Sequence, residues 1–279
     1  IGAGSMTPEL LREHIQKIKA ANIDGVWGVN LPIFFQYAEE MIAIILEEDV
    51  RVVFTSGGSP GKYTARLKDL GVKVAHVTST PDLAVKCQTA GVDAVVLEGF
   101  EAGGHNGRDE LTTMVLIPQA VDAVKIPVIA AGGIYDGRGM AAALALGAAG
   151  VQIGTRFAAT VESSAHENFK RLMLQSSATE TLLVLKKLVP ARLIKNAWFE
   201  RVLAAEQRGA APEELLEIIG EKRTRRGMFE GDLEEGELQI GQAVGAIRDL
   251  PTAAEVVRAI ARECESTIAG LPARVIKTE

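Results

Sequence analysis

Two segments share one pattern, and that pattern limits the fold more than any other feature of the chain. Pro127-Val-Ile-Ala-Ala-Gly-Gly-Ile134 is a short apolar run ending in paired glycines, and Gly150-Val-Gln-Ile-Gly-Thr155 is a second run ending in Gly-Thr. Between them, the alanine- and leucine-rich segment 140–146 reads as a helix stopped by Gly147. Strand, glycine turn, helix, strand, glycine turn is the repeating unit of parallel α/β folds. These folds bind ligands at the carboxyl ends of their strands. Glycines placed there let backbone N–H groups approach an anion such as a phosphate. Tight turns that serve helix packing alone would have the same sequence.

The same unit recurs upstream. Apolar, β-branched runs at 26–30, 50–55, 72–77 and 94–97 read as strands. Helices are expected over 7–20, 37–48, 62–70, 80–90 and 117–123. The first has Thr7 as N-cap, Pro8 at the first helical position and Glu9 in the first turn. Strands this short and apolar are covered on both faces, which argues for a parallel sheet with helices outside it. Six strands follow Ile1-Gly-Ala-Gly4, which itself reads as the tail of a seventh. A TIM (β/α)8 barrel needs eight units of about 30 residues each. The expected fold is therefore a TIM barrel lacking its first N-terminal βα unit in this chain. An open doubly wound sheet is the alternative that needs no missing unit.

After Phe157 the pattern changes. Residues 163–228 read as helical, so two regions are expected: 1–162 with 229–279 as the barrel, and 163–228 as a small helical appendage over its carboxyl end. Closing helices are expected over 239–247 and 252–268, the second capped by Thr252.

Composition excludes several classes of function. A net charge of −6 argues against nucleic-acid binding. Two cysteines, Cys87 and Cys264, are too few for a disulfide framework and suit a reducing cytoplasm. No apolar run approaches the ~18 residues of a membrane span. No His, Cys, Asp or Glu grouping has metal-ligand spacing, and neither a P-loop nor a Gly-x-Ser-x-Gly elbow is present.

His105 is the first candidate for chemistry. It lies in Ala102-Gly-Gly-His-Asn-Gly107, beyond a strand end, where three flanking glycines suggest close approach to a ligand. Imidazole there suits proton transfer or substrate positioning near neutral pH; a surface loop histidine is the plainer alternative. His14, His76 and His166 read as structural. Asn30, at another strand end, offers an amide suited to a heterocycle edge. Lys222-Arg-Thr-Arg-Arg226 is either a contact for phosphates or an acidic partner, or a solvated helix end beside Asp232-Leu-Glu-Glu235.

Together, Glu98-Gly-Phe-Glu-Ala-Gly-Gly-His105, Pro127-Val-Ile-Ala-Ala-Gly-Gly133 and Val151-Gln-Ile-Gly-Thr155 resemble the FMN-dependent nitronate monooxygenase / 2-nitropropane dioxygenase superfamily, over nearly the whole chain. The resemblance implies a TIM barrel with FMN at its carboxyl end. It implies His105 as the active-site histidine, Asn30 as a flavin contact, and Gly132, Gly133, Gln152, Ile153, Gly154 and Thr155 as contacts to the FMN phosphate and ring. Gly241-Gln242 resembles a further segment near the flavin, with Ile240 where the family has Ala. A Gly-Gly-Met segment of the family's first strand is absent from this chain. Leu111-Thr-Thr-Met114, Gly154-Thr-Arg-Phe157, Glu162-Ser-Ser-Ala-His166 and Arg192-Leu-Ile-Lys-Asn196 are similar to the enoyl-ACP reductase II branch. That branch implies hydride transfer from NAD(P)H through FMN to a trans-2-enoyl thioester in fatty acid synthesis. Nitronate monooxygenase activity is the alternative, and a non-catalytic flavin- or phosphate-binding barrel a lesser one. The expected partners are a small-molecule or acyl-carrier-protein-linked substrate and a second copy of the chain.

Overall fold

The computed structural model describes residues 1–4 and 6–274. Along the chain run α1 (Pro8–Ala20), β1 (Val29–Pro32), α2 (Ala38–Glu47), β2 (Val52–Ser56), α3 (Gly61–Asp69), β3 (Lys73–Thr78), α4 (Pro81–Thr89) and β4 (Ala94–Glu98). Then come the two-residue β5 (Gly104–His105), α5 (Thr113–Ala123), β6 (Val128–Ala131), α6 (Gly137–Ala145) and β7 (Gly150–Gln152). Six strands form one parallel sheet in the order β1-β2-β3-β4-β6-β7. Apart from β5, neighbours in the sheet follow chain order and never reverse. That is the singly wound order of α/β barrels; a doubly wound sheet would change direction at a switch point. The strands fall where the sequence pattern places them, with one shift. Val26 is 90% exposed, and the first strand begins at Val29.

The chain divides into two compact units, one formed by Ile1–Leu97 with Gln119–Ile129, the other by Glu98–Pro118 with Ala130 onward. In the first unit the N-cap Thr7 accepts the Leu10 N–H, and α1 buries Leu11 and Ile15 on its inner face. Helix α2 buries Met41, Ile42, Ile44 and Ile45, and packs on α1. Residues 1–3 extend the sheet edge as the opening tail suggests: Asn30 N–H donates to the Ile1 carbonyl (2.7 Å) and Ala3 N–H to that of Asn30 (2.9 Å). His76 is buried, with Nδ1 2.7 Å from the Thr55 hydroxyl on the neighbouring strand, and burial pushes its pKa down to about 4. This is the structural role expected of it.

The second unit continues with α7 (Thr155–Ala158), α8 (Glu167–Gln175), β8 (Thr181–Val184), β9 (Ala191–Ile194), α9 (Ala197–Gln207), α10 (Pro212–Ile219) and α11 (Ala253–Gly270). Helix α11 opens with a capping box between Thr252 and Glu255, and buries Val256, Ile260 and Cys264 at four-residue spacing. It packs closely on α6: a Cβ on Gly137 would lie 2.3 Å from the Cys264 nitrogen.

Segment 163–228 is not wholly helical. Strands β8 and β9 pair antiparallel, and β9 also pairs with β5, giving a three-stranded sheet in the order β5-β9-β8. All four residues of β9 are buried, so it lacks the alternation that marks a strand, and a short apolar run cannot be told from helix by periodicity. Behind the sheet, Trp198, Phe199 and Val202 of α9 pack with Val184, Ala191 and Leu193. The expected helix over 239–247 shrinks to a 3-10 turn at Gln242–Ala246, because Gln239 bridges instead to Leu193.

Candidate active site

The two glycine turns of the second unit differ in what they require. After β6 the chain passes through Gly132 and Gly133 at φ +93° and +71°. A Cβ on Gly132 would lie 2.7 Å from the Gly99 carbonyl oxygen, while Gly99 donates its own N–H to Ala131 at 2.9 Å. Backbone twist and the crossing of two strand exits therefore demand glycine at 132 whatever binds there. At Gly133 a Cβ would make ordinary contact with Glu101, and only the positive φ requires glycine.

Gly154 has no such requirement. Its φ is −102°, and a Cβ there would meet nothing within 4 Å. It is exposed and caps the short helix α7, whose first N–H groups have no intrahelical acceptors. Gln152, Ile153 and Thr155 beside it are half-buried. The Gln152 amide makes no hydrogen bond among the described residues. The Thr155 hydroxyl accepts the Gly241 N–H at 3.1 Å and keeps its own proton to donate. Open space faced by neutral N–H and O–H donors suits an anion. Arg156 fixes α7 from behind. Its Nη1 reaches the Asp249 carboxylate at 2.8 Å, and its Nη2 the carbonyls of Ala159 and Asp249 at 2.7 and 2.8 Å.

The exit loop of β4 joins these turns. The Glu101 carboxylate accepts the Thr113 N–H at 3.0 Å, and the Thr113 hydroxyl lies 2.9 Å from the Gly132 carbonyl. The Glu101 carbonyl accepts the Gln242 N–H at 2.9 Å. Gly103 lies against Ile240 and Gly241 so closely that a Cβ would fall 2.3 Å from backbone. The structure thus brings together Gly132, Gly133, Thr155 and Gly241-Gln242 around the loop that leads to His105.

His105 itself lies in β5 and not in an irregular loop. It pairs with Ala191 of β9, and its side chain is exposed. Next to it, Asn106 is buried; its Nδ2 donates to the Ala102 carbonyl at 2.8 Å, and its Oδ1 has no partner among the described residues. Asn30 belongs to the other unit, in β1, where its Nδ2 reaches the Phe54 carbonyl at 3.3 Å.

Two features of the second unit escaped the sequence reading. Glu98, the last residue of β4, is half-buried with no hydrogen bond or ion pair among the described residues. Burial raises its carboxyl to about 7. The available signal was an acid placed directly between an apolar run and Gly99. Arg192 is fully buried. The basic cluster, by contrast, is paired locally: Arg223 with Glu235, Arg225 with Glu230, Arg226 with Asp232. That is the solvated-face alternative. His166 caps α8 by accepting the Asn168 N–H. Among the described residues no group of His, Cys, Asp or Glu could hold a metal, and no helix is long and apolar enough to cross a membrane.

Comparison with known proteins accords with this geometry. The family model for nitronate monooxygenase matches residues 20–263. The solved structure of FabK from Thermotoga maritima superposes with a TM-score of 0.92 at 38% identity, covering 98% of this chain and 86% of that one. A (3aS,4S,5R,7aS)-5-hydroxy-7a-methyl-1-oxo-octahydro-1H-indene-4-carboxyl-CoA dehydrogenase of Rhodococcus jostii is 32% identical over 98% of this chain and 87% of its own. A nitronate monooxygenase of Paraburkholderia phytofirmans is 36% identical over 82% of this chain and 64% of its own. The chain belongs to the nitronate monooxygenase family of flavin-dependent oxidoreductases, with their TIM-barrel fold.

Proposed function

We propose that this oxidoreductase is an FMN-dependent reductase of trans-2-enoyl thioesters that takes its hydride from NAD(P)H. The whole-chain likeness to FabK carries the proposal, since its identity exceeds that of the near-full-length CoA-dehydrogenase relative. The motif resemblance to the enoyl-ACP reductase II branch points the same way. The Rhodococcus relative is named for a CoA-linked substrate, which supports a thioester without deciding between CoA and acyl carrier protein.

The residues present fit FMN. Gly154 leaves open space where a Cβ would stand, and the donors beside it are neutral N–H and O–H groups, while the Glu101 carboxylate that lies against Gly133 is held by the Thr113 N–H and hydroxyl. In this assignment the N–H groups at Gly154 and Thr155, with the Gly132-Gly133 turn, hold the phosphate. Gln152 and Ile153 contact the ring system, as the resemblance implies. When bound, FMN supplies the redox chemistry between nicotinamide and substrate. The chain orients the acceptor: His105 polarises the thioester carbonyl or delivers the proton that the α-carbon needs.

Nitronate oxidation is the second reading, favoured by the family model and the Paraburkholderia relative. His105 would then bind the nitro group or remove a proton. Anaerobic mixing separates the two. Bleaching of bound flavin by NADPH, reversed by crotonyl-CoA or an enoyl-ACP, is expected. Flavin left oxidised by NADPH but bleached by propyl-2-nitronate would make the reductase assignment wrong.

A further inference from the structure

Arg192 is 2% exposed and forms no ion pair among the described residues. A buried guanidinium without an ion-pair partner is costly even though Glu101 and Glu110 lie near enough to favour its charge, and an apolar side chain could fill the same volume without that cost. What the guanidinium does here is specific. Its Nε donates to the Phe100 carbonyl at 2.9 Å, and its Cζ lies over the Phe100 ring, 4.8 Å from the centre. Its Nη1 lies 3.4 Å from the Thr181 hydroxyl, and its Nη2 is buried without an acceptor among the described residues. The backbone of the same residue pairs with Gly104 in the β5–β9 ladder, one step before His105 pairs with Ala191.

One residue therefore holds both ends of the turn from Phe100 to Gly104, by side chain at the start and by backbone at the finish. Gly103 is seated against Ile240 and Gly241, and Gly104 has φ +77°, so the turn has little freedom once its ends are fixed. His105 is the next residue. We propose that Arg192 is a positioning residue that clamps the Phe100–Gly104 turn and sets where His105 is presented to the substrate. The inference rests on the assignment of His105 as the substrate-facing group. Lysine cannot replace the arginine, because a single ammonium cannot reach the Phe100 carbonyl, the Phe100 ring and the Thr181 hydroxyl as the guanidinium fork does.

The test uses the flavin-loaded protein with Arg192→Lys, Arg192→Met, Thr181→Val and His105→Ala, read as kcat and KM per bound flavin, melting temperature, and hydrogen exchange of the amides in 100–105. Both Arg192 variants are expected to lose at least tenfold in kcat with KM within about twofold. Exchange should quicken in 100–105 while β8 stays protected. In a third arginine variant, Arg192→Ala, added guanidinium should restore part of the rate. Thr181→Val should keep its rate, because the hold on Phe100 remains. A kcat per bound flavin at the unsubstituted level in Arg192→Lys, with unchanged exchange, overturns the proposal. If Arg192→Met does not fold, Arg192→Lys decides alone. If His105→Ala keeps full activity, the assignment of His105 is what fails, and the exchange rates still decide whether Arg192 orders the turn.

Discussion

Gly154→Ala separates binding from folding at the β7 turn. The backbone there has φ −102° and ψ −68°, which any residue adopts, and the new methyl meets no atom within 4 Å. Replacing glycine stiffens the unfolded chain, which favours folding by about 0.4–1 kcal/mol. Alanine is a poorer N-cap than glycine by a similar amount, about 0.5–1 kcal/mol. The two offset, so apo stability should change by less than about 1 kcal/mol, which is roughly 2–4 °C in melting temperature. FMN affinity should fall at least tenfold, about 1.4 kcal/mol, because the methyl occupies the space a phosphate oxygen needs. Gly132→Ala is the contrast. Its positive φ and its overlap with the Gly99 carbonyl should cost roughly 3 kcal/mol of folding stability before any ligand is added. The assays are thermal melts of the apo protein and quenching of FMN fluorescence on titration. A Gly154→Ala protein that melts normally and binds FMN as tightly as its parent would refute the phosphate assignment.

Three further outcomes follow from the same residues. His76, held down to about 4 by burial, is neutral in the fold while the unfolded chain protonates near 6.5; stability should therefore fall between pH 6.5 and 4 by up to roughly 3 kcal/mol. Denaturant midpoints of His76→Gln should lose that slope, and an unchanged slope would place the titration elsewhere. Glu98, raised to about 7, binds its proton more tightly in the fold than in the unfolded chain; its contribution is intact below pH 4.5 and is lost as pH rises through 7. Glu98→Gln should therefore be more stable than its parent at pH 8 by about 2 kcal/mol after allowing for partial exposure, and no more stable at pH 4.5. His105→Ala should keep its flavin and lose turnover by about 10²-fold; loss of flavin with normal turnover per bound FMN would make His105 structural.

The parallel sheet was legible in the chain because each strand has its own local mark, an apolar run closed by Gly or an N-cap such as Thr80. Both glycine turns were legible too, yet sequence could not distinguish them. Gly132 is fixed by backbone crossing and Gly154 by nothing among the described residues, a difference that exists only in space. Strands β8 and β9 pair locally but were missed because β9 is buried at every residue and shows no alternation, and its other partner, Gly104, lies far away in the chain. Arg192 and Glu98 were invisible for a related reason. A charged residue is read as solvated until the burial of its neighbours is known, and both owe their character to burial.

The central claim is that the glycine turns of the second unit anchor a flavin. The absorbance spectrum of the purified protein tests it directly, with the flavin released by denaturation and counted. A yellow protein with one FMN per chain, whose fluorescence appears on unfolding, is the expected result. A colourless protein that takes up no FMN on titration would contradict the claim.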